Sequence, residues 1–374
     1  MLIDWQDRAR ALAEHFTAAG MLDPQWREAF EHTPRHVFVP EYYRSDDYAL
    51  VSGAEPSQRD EWLDTVYSDQ SLVTQIATVP GVDIRWPTSS STKLSLMLEM
   101  LRLLKVADGH KVLEIGTGTG FNAALLSFRL GDAHVASIDV DSTLVETAAM
   151  RLAELGHRPY LVAGDGAVGI PEAAPFDRII ATCAVPTIPP AWIAQLTASG
   201  LIVADVRGEL TSSLVVVRKV NADTAVGHFL AQPGHFMWLR AEAGSPFRAG
   251  GVLGQPLDGD NVTTRTTDLD PDILDDPGFR FALQLDEPNI KHPGTINHDN
   301  GPDHLLVQAE DGSWAELDGN QVAEGGPRGL WASIERAADT WDKHNRPSRD
   351  RFGFTITGDE PARYWIDQPE TAWR

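Results

Sequence analysis

At 374 residues the chain is long enough to bury a large core and long for one domain, so two domains are expected. Its hydrophobic share of 42% and charged share of 23% are those of an ordinary globular protein. The net charge of −23 argues against nucleic acid or an anionic membrane as the main partner, because both need basic patches. In chain order, residues 4–20 read as an amphipathic helix, with Trp5, Ala9, Leu12 and Phe16 at helical spacing. A second helix near 24–33 leads into Pro34-Arg35-His36-Val37-Phe38-Val39-Pro40. Residues 45–70 are irregular and acidic and end in Val66-Tyr67-Ser68-Asp69. Residues 72–87 are apolar but turn-rich. Thr88-Ser89-Ser90-Ser91-Thr92 then opens a helix through about Leu104, its hydroxyls suited to N-capping.

From Lys111 the pattern alternates. Lys111–Ile115, His134–Asp139, Tyr160–Ala163, Asp177–Thr182 and Leu201–Asp205 are short apolar runs, and helical segments near 121–130, 142–155 and 188–198 separate most of them. That alternation predicts a parallel, doubly wound α/β sheet. Leu214–Val220 and a run near Val226–Leu239 complete it as late antiparallel strands. Beyond Ala241 the composition changes, and residues 244–278 are rich in Gly, Pro and Asp. Strand-like pieces at Arg280–Leu285, Leu305–Gln308 and Phe352–Thr357, with a helix at about 328–343, predict a smaller α+β C-terminal domain.

The stretch Glu114-Ile115-Gly116-Thr117-Gly118-Thr119-Gly120 carries the most chemistry. An apolar strand enters a turn with glycine at every second position, and a helix begins directly after it. The spacing is Glu-x-Gly-x-Gly-x-Gly, not the G-x-G-x-x-G of dinucleotide-binding proteins. Asp139 ends the next strand, roughly twenty residues on, where a carboxylate can accept from both hydroxyls of a ribose. Gly164-Asp165-Gly166 follows the third strand, where Asp165 can accept from an adenine amino group. Each Asp alone is also an ordinary turn residue; the three elements in order, each behind its own strand, point to a nucleoside cofactor.

The glycine turn resembles the first motif of class I S-adenosylmethionine-dependent methyltransferases. Residues 26–40, Tyr67–Asp69, 112–126, Gly164-Asp165-Gly166, Pro175-Phe176-Asp177 and the closing GHFMWLR together resemble the protein-L-isoaspartate O-methyltransferase family over about residues 1–241. The resemblance implies a Rossmann-like catalytic domain over 1–241, with a helical cap over 1–105 and a cofactor-binding core over 106–241. Residues 242–374 are then an accessory domain for peptide recognition, absent from that family's repair enzymes. It implies S-adenosyl-L-methionine as cofactor and S-adenosyl-L-homocysteine as product, held by Glu114, Gly116, Thr117, Gly118, Gly120, Asn122, Asp139, Val140, Asp165 and Gly166. Glu114 steers the methionine amino group or else only orients the turn.

Counting back from Met97-Leu98-Glu99-Met100-Leu101, the resemblance implies that the repair enzymes' loop serine falls at Ser89, but here the loop is Pro87-Thr88-Ser89-Ser90-Ser91-Thr92, with no proline after the serine. Together with the added tail, this resembles homologues paired with ATP-grasp or lanthipeptide maturases of ribosomal peptides. That subgroup implies esterification of an aspartate in a ring-closed precursor peptide, followed by collapse to an aspartimide, with the associated ATP-grasp ligase as a further partner. Generic isoaspartyl repair is the alternative, and it expects residues 242–374 to be dispensable. Ser89, then Ser90 and Thr88, are the candidate catalytic hydroxyls, unless the run merely caps its helix. Tyr67, Asp69, Ser91 and Arg85 are candidates for the peptide channel; as isolated residues Tyr67 and Asp69 also read as structural, and Arg85 and Lys93 as solvated surface.

Cys183 is the only cysteine, so neither an intrachain disulfide nor a Cys-based zinc site is expected. His292, His298, His304, Asp299 and Asp303 match no helix-based ligand spacing, and no metal site is expected. No apolar run reaches membrane-spanning length and MLIDWQDRAR lacks a signal-peptide core, so a cytoplasmic setting is expected.

Overall fold

The computed structural model describes residues 5–78, 85–241, 262–291, 293–296 and 304–373. The cap comprises helices α1 (Trp5–Ala18), α2 (Pro24–His32) and α3 (Arg35–Phe38), strands β1 (Glu41–Tyr43) and β2 (Leu50–Ser52), and α4 (Arg59–Val66). β3 (Leu72–Thr78) and β4 (Arg85–Ser91) form an antiparallel hairpin that completes a four-stranded sheet of order β2-β1-β3-β4. The Thr88–Thr92 run therefore does not open a helix. Ser89 and Ser90 lie opposite Gln75 and Val73 in the β3–β4 ladder, and α5 (Leu94–Leu104) begins beyond them with no side-chain cap bond from Lys93.

β5 (Val112–Ile115), β6 (Val135–Asp139), β7 (Tyr160–Ala163), β8 (Phe176–Val185) and β9 (Leu196–Arg207) arise from the five expected runs and pair in parallel in the order β9-β8-β5-β6-β7. Strands covered on both faces need apolar residues on both, which is why they read as continuous runs. α6 (Phe121–Leu130) and α7 (Ser142–Glu154) make crossovers. The helix expected over 188–198 shrinks to α8 (Pro190–Ala194), because β9 already starts at Leu196. β10 (Ser212–Lys219) and β11 (Thr224–Phe229) continue the sheet antiparallel.

Beyond Ala241, β12 (Thr263–Thr266), β13 (Gly294–Ile296), β14 (His304–Gln308), β15 (Trp314–Asp318) and β16 (Gln321–Gly325) build a second sheet of order β12-β16-β15-β14-β13. Residues 280–285, expected as a strand, lie in α9 (Pro277–Asp286). Asp276 caps that helix by accepting from the Gly278 and Phe279 N–H groups, and Pro277 fills the first position. α10 (Leu330–Lys343) follows, and then the chain returns to the central sheet. β17 (Phe352–Thr357) pairs antiparallel with β11, and β18 (Arg363–Ile366) with β17. Among the described residues the central sheet thus has the order β18-β17-β11-β10-β9-β8-β5-β6-β7.

The boundary expected at residue 241 consequently does not divide the sheet. Phe281 of α9 meets Phe229 of β11 at 4.8 Å between ring centroids, and Trp331, Ile334 and Trp341 belong to the same buried cluster as Ile202 and Val215. Among the described residues no helix is long and apolar enough to cross a membrane. His292, His298, Asp299 and Asp303 lie outside the described residues. Within the described ones, no group of three His, Cys, Asp or Glu side chains is placed to hold a metal ion.

Candidate active site

β5 delivers the glycine turn to the carboxyl edge of the sheet, between the ends of β6 and β8. Gly116 and Gly120 have φ of +97° and +89°, where side chains are strained. A Cβ at Gly116 would also stand 2.8 Å from Thr182 Oγ1, and one at Gly120 3.0 Å from the Ala148 Cβ. The turn therefore packs against β8 and α7 only without side chains. Gly118 faces the other way: its Cβ position lies 3.8 Å from Ser89 Oγ, so the turn and β4 stand opposite one another.

Glu114 is fully buried in the middle of β5. Its Oε1 accepts from Asn122 Nδ2 at 2.7 Å and its Oε2 from Ser137 Oγ at 2.6 Å; Ser137 in turn lies 2.7 Å from Thr117 Oγ1. Both carboxylate oxygens are thus engaged in holding the turn. Burial pushes the carboxyl up to about 7, against the two hydrogen bonds that favour its charge. Asn122 Oδ1 is buried with no hydrogen-bond partner among the described residues. An unmet acceptor beside a buried carboxylate fits the ammonium end of S-adenosylmethionine, which brings donors and positive charge.

This burial has a consequence for stability. An unfolded glutamate titrates near 4.5 and folded Glu114 near 7, so the folded chain holds an extra proton between those values. Its contribution is fully present below the lower value and is lost as pH rises through the higher one. Glu114→Gln is therefore expected to flatten the fall in melting temperature between pH 5 and pH 8 in thermal unfolding without ligand. Equal falls in variant and wild type would refute this.

Asp139 ends β6, where its Oδ2 accepts the Gly118 N–H at 2.9 Å and its Oδ1 the Asp141 N–H at 3.1 Å. Burial raises its carboxyl above the usual range. Its remaining lone pairs suit ribose hydroxyls. Asp141 caps α7 and also accepts from Gln75 Nε2 at 3.0 Å, while Gln75 Oε1 accepts from Thr88 Oγ1 at 2.7 Å. Thr74 Oγ1 donates to Ser89 Oγ at 3.3 Å. The β3–β4 hairpin is thereby strapped across the cofactor edge of the sheet.

A cavity of about 690 Å³ lies between the turn, β4 and the segment 232–240. Thr88, Ser89, Ser90 and Ser91 line one wall; Glu114, Gly116, Thr117, Gly118, Asn122, Asp139, Val140 and Gly166 line the other. Ser91 is already committed, since its Oγ accepts from Arg35 Nε and Nη2. Five expected residues lie outside the wall. Gly120 faces Ala148, and Asp165 accepts the Ala167 N–H at 2.9 Å to shape its own turn. Tyr67 is buried with its hydroxyl 2.8 Å from His36 Nδ1. Asp69 accepts the Ser95 N–H at 2.8 Å, at the start of α5, and pairs with Lys93 at 3.5 Å. Arg85 is exposed at the far end of β4. The structure thus gives Tyr67 and Asp69 packing and capping contacts rather than places in the channel.

Gln75, Asp141 and Arg240 also belong to the site, although no motif in the sequence marks them. The Ala184 N–H donates to the Met237 carbonyl and the Leu239 N–H to the Ala184 carbonyl, both at 2.8 Å, which brings the GHFMWLR run alongside the end of β8. Arg240 thereby reaches the cavity wall, and its Nη2 donates to the Thr88 carbonyl at 3.0 Å. The available signal was a cation directly after an apolar run that ends at the carboxyl edge of the sheet.

A family model for protein-L-isoaspartate(D-aspartate) O-methyltransferase matches residues 7–233. The protein-L-isoaspartate O-methyltransferase of Roseiflexus castenholzii is 32% identical over 220 residues, which cover 59% of this chain and 86% of that protein. That of Methanosarcina mazei is 32% identical over 201 residues, 53% of this chain and 70% of that one. A solved protein-L-isoaspartate O-methyltransferase structure superposes with a TM-score of 0.57 at 20% identity and covers 96% of this chain and 100% of that chain. The likeness in fold runs past residue 241 to a structure that bears the isoaspartyl-methyltransferase name, where such a tail was expected to be absent. The strand order, the glycine turn with Asp139 behind it and the match over 7–233 agree: the chain belongs to the protein-L-isoaspartate(D-aspartate) O-methyltransferase family and is an S-adenosylmethionine-dependent O-methyltransferase.

Proposed function

We propose that the chain esterifies the free α-carboxylate of an L-isoaspartyl residue within a peptide. Beyond family membership, one observation carries the reading: β4 presents buried hydroxyls, Ser89 foremost, across the cavity from Gly118. The bound cofactor supplies a methyl carbon already activated by its sulfonium. A free α-carboxylate, with a reference pKa of about 3.3–3.7, is ionised at neutral pH, so no side chain has to act as a base. Ser89 or Ser90 donates a hydrogen bond to the non-attacking oxygen and leaves the charge of the other intact. Asn122 and Asp139 hold the cofactor, and the strapped hairpin fixes the acceptor's orientation, which is where the rate gain lies. In the ester, the following backbone nitrogen attacks the carbonyl and loses its proton, and methanol leaves as the succinimide closes.

Incubation with S-adenosylmethionine and a synthetic L-isoaspartyl hexapeptide is expected to add the mass of one methylene to the peptide. The aspartyl isomer is expected to stay unmodified. Ser89→Ala is expected to lower kcat about 10–100-fold, the worth of one hydrogen bond to an anion, with cofactor affinity unchanged. An unmodified isoaspartyl peptide overturns the reading.

A second reading has one observation in its favour, the absence of proline after the serine in Pro87-Thr88-Ser89-Ser90-Ser91-Thr92. In it the acceptor is an aspartate side chain of a ring-closed ribosomal precursor, prepared by an associated ATP-grasp ligase, and the ester collapses to an aspartimide. Methylation of such a precursor, with the isoaspartyl peptide untouched, would favour it. Under either reading the partner is a peptide, and the setting is the cytoplasm.

A further inference from the structure

Among the described residues, the cavity wall carries the cations Lys93 and Arg240. Lys93 is paired with Asp69. Arg240 forms no ion pair with a described carboxylate, and its guanidinium is only partly used: Nη2 donates to the Thr88 carbonyl at 3.0 Å, while Nη1 is buried with no hydrogen-bond partner among the described residues. A buried, charged N–H left unmet is costly, and such groups are retained where a partner arrives. The wall otherwise carries Glu99, Glu114 and Asp139, on a chain of net charge −23, so an entering carboxylate meets repulsion unless a local cation offsets it.

We propose that Arg240 binds the acceptor carboxylate of the peptide, donating from Nη1 to the oxygen that does not attack, while Nη2 holds the Thr88 carbonyl. The assignment rests on the carboxyl-methylation reading above. The geometry suits that chemistry. A two-pronged arginine grip occupies both carboxylate oxygens and blunts the nucleophile. With Nη2 committed to the hairpin, a contact through Nη1 alone leaves the second oxygen its lone pairs. A lysine could not do both, because its ammonium is a single point rather than a rigid fork. Arg240 also couples the substrate to β4: the group that holds the carboxylate holds the strand bearing Ser89. The competing partner for Nη1 is the α-carboxylate at the methionine end of the cofactor, which S-adenosylhomocysteine retains, so titration with that product separates the two.

The test uses the full chain with Arg240→Gln and Arg240→Lys, the L-isoaspartyl hexapeptide and its aspartyl isomer, and calorimetric titration with S-adenosylhomocysteine. Arg240→Gln is expected to raise the peptide KM roughly 10–100-fold while the S-adenosylhomocysteine Kd stays within about twofold; Arg240→Lys recovers part of the loss. An unchanged peptide KM overturns the assignment. So does a loss of S-adenosylhomocysteine affinity that matches the loss in kcat/KM, which would give Arg240 to the cofactor. Peptide binding to the S-adenosylhomocysteine-loaded protein is followed in parallel by tryptophan fluorescence. Wild-type binding without methyl transfer sinks the functional reading, yet the Kd of Arg240→Gln still decides the role of Arg240. A wild type that binds neither peptide overturns the assignment as well.

Discussion

Ending the chain at Ala241 is expected to abolish the folded enzyme rather than release a smaller one. β11 is paired with β17 from Thr224↔Thr357 to His228↔Gly353, and truncation turns it into an open edge. Open edges with apolar side chains template aggregation. The loss on the sheet face is larger. Phe279, Phe281, Trp331, Trp341 and Phe352 are buried in the cluster that covers Val215, Val217, Ala225 and Phe229. Each large side chain contributes on the order of 1.5–3 kcal/mol when fully buried, so their joint removal rivals a total stability of about 5–15 kcal/mol. Expression of residues 1–241, followed by gel filtration and thermal circular dichroism, checks this. A monomeric fragment with one cooperative melt would refute it. The result also bears on substrate identity: because the tail completes the core, its indispensability says nothing about whether the acceptor is an isoaspartyl residue or a ring-closed precursor.

What was legible follows the physics of each element. β5 through β9 stood out because parallel strands buried on both faces must be apolar throughout, and the glycine turn because Gly116 and Gly120 occupy backbone conformations that other residues avoid. The β3–β4 hairpin is hidden in the sequence for a related reason. Thr88–Ser91 is polar and lines a cavity, so it shows no apolar alternation, and hydroxyl residues ahead of a helix look like caps. α9 carries a helix-start signal, Asp276-Pro277, yet it also imitates a strand, because Phe279, Phe281, Leu283 and Leu285 alternate. The return of β17 to the central sheet had no local signal at all, because pairing between residues more than a hundred positions apart is set by tertiary packing. Site residues followed the same division. Glu114, Asn122 and Asp139 sit at fixed offsets from the turn, whereas Gln75 and Arg240 act through partners that only the fold brings near.

Arg35 should be the most sensitive single position outside the cavity wall. It is almost wholly buried, and burial draws its guanidinium down to about 10, opposed by Asp69 and Tyr67, so it stays charged at neutral pH. Nη1 donates to the Val66 and Ser68 carbonyls at 3.0 and 3.2 Å. Nη2 donates to the Gln70 and Thr92 carbonyls at 3.1 and 2.9 Å and to Ser91 Oγ at 3.2 Å. One side chain thus joins the segment after α4 to the end of β4. Arg35→Met fills the volume but strands these acceptors in the interior, at an expected cost on the order of 3–5 kcal/mol, read as a lower midpoint in urea unfolding. The same donors fix Ser91 and Thr92, and hence the position of Ser89 opposite Gly118. Displacements near 1 Å can cost about 100-fold in rate, so kcat should fall well below the folded fraction at assay temperature, with S-adenosylhomocysteine affinity largely kept. Arg35→Lys keeps the charge but cannot span these acceptors, and is expected to recover little. A midpoint and kcat equal to wild type in Arg35→Met would show that β4 is held by its ladder to β3 alone.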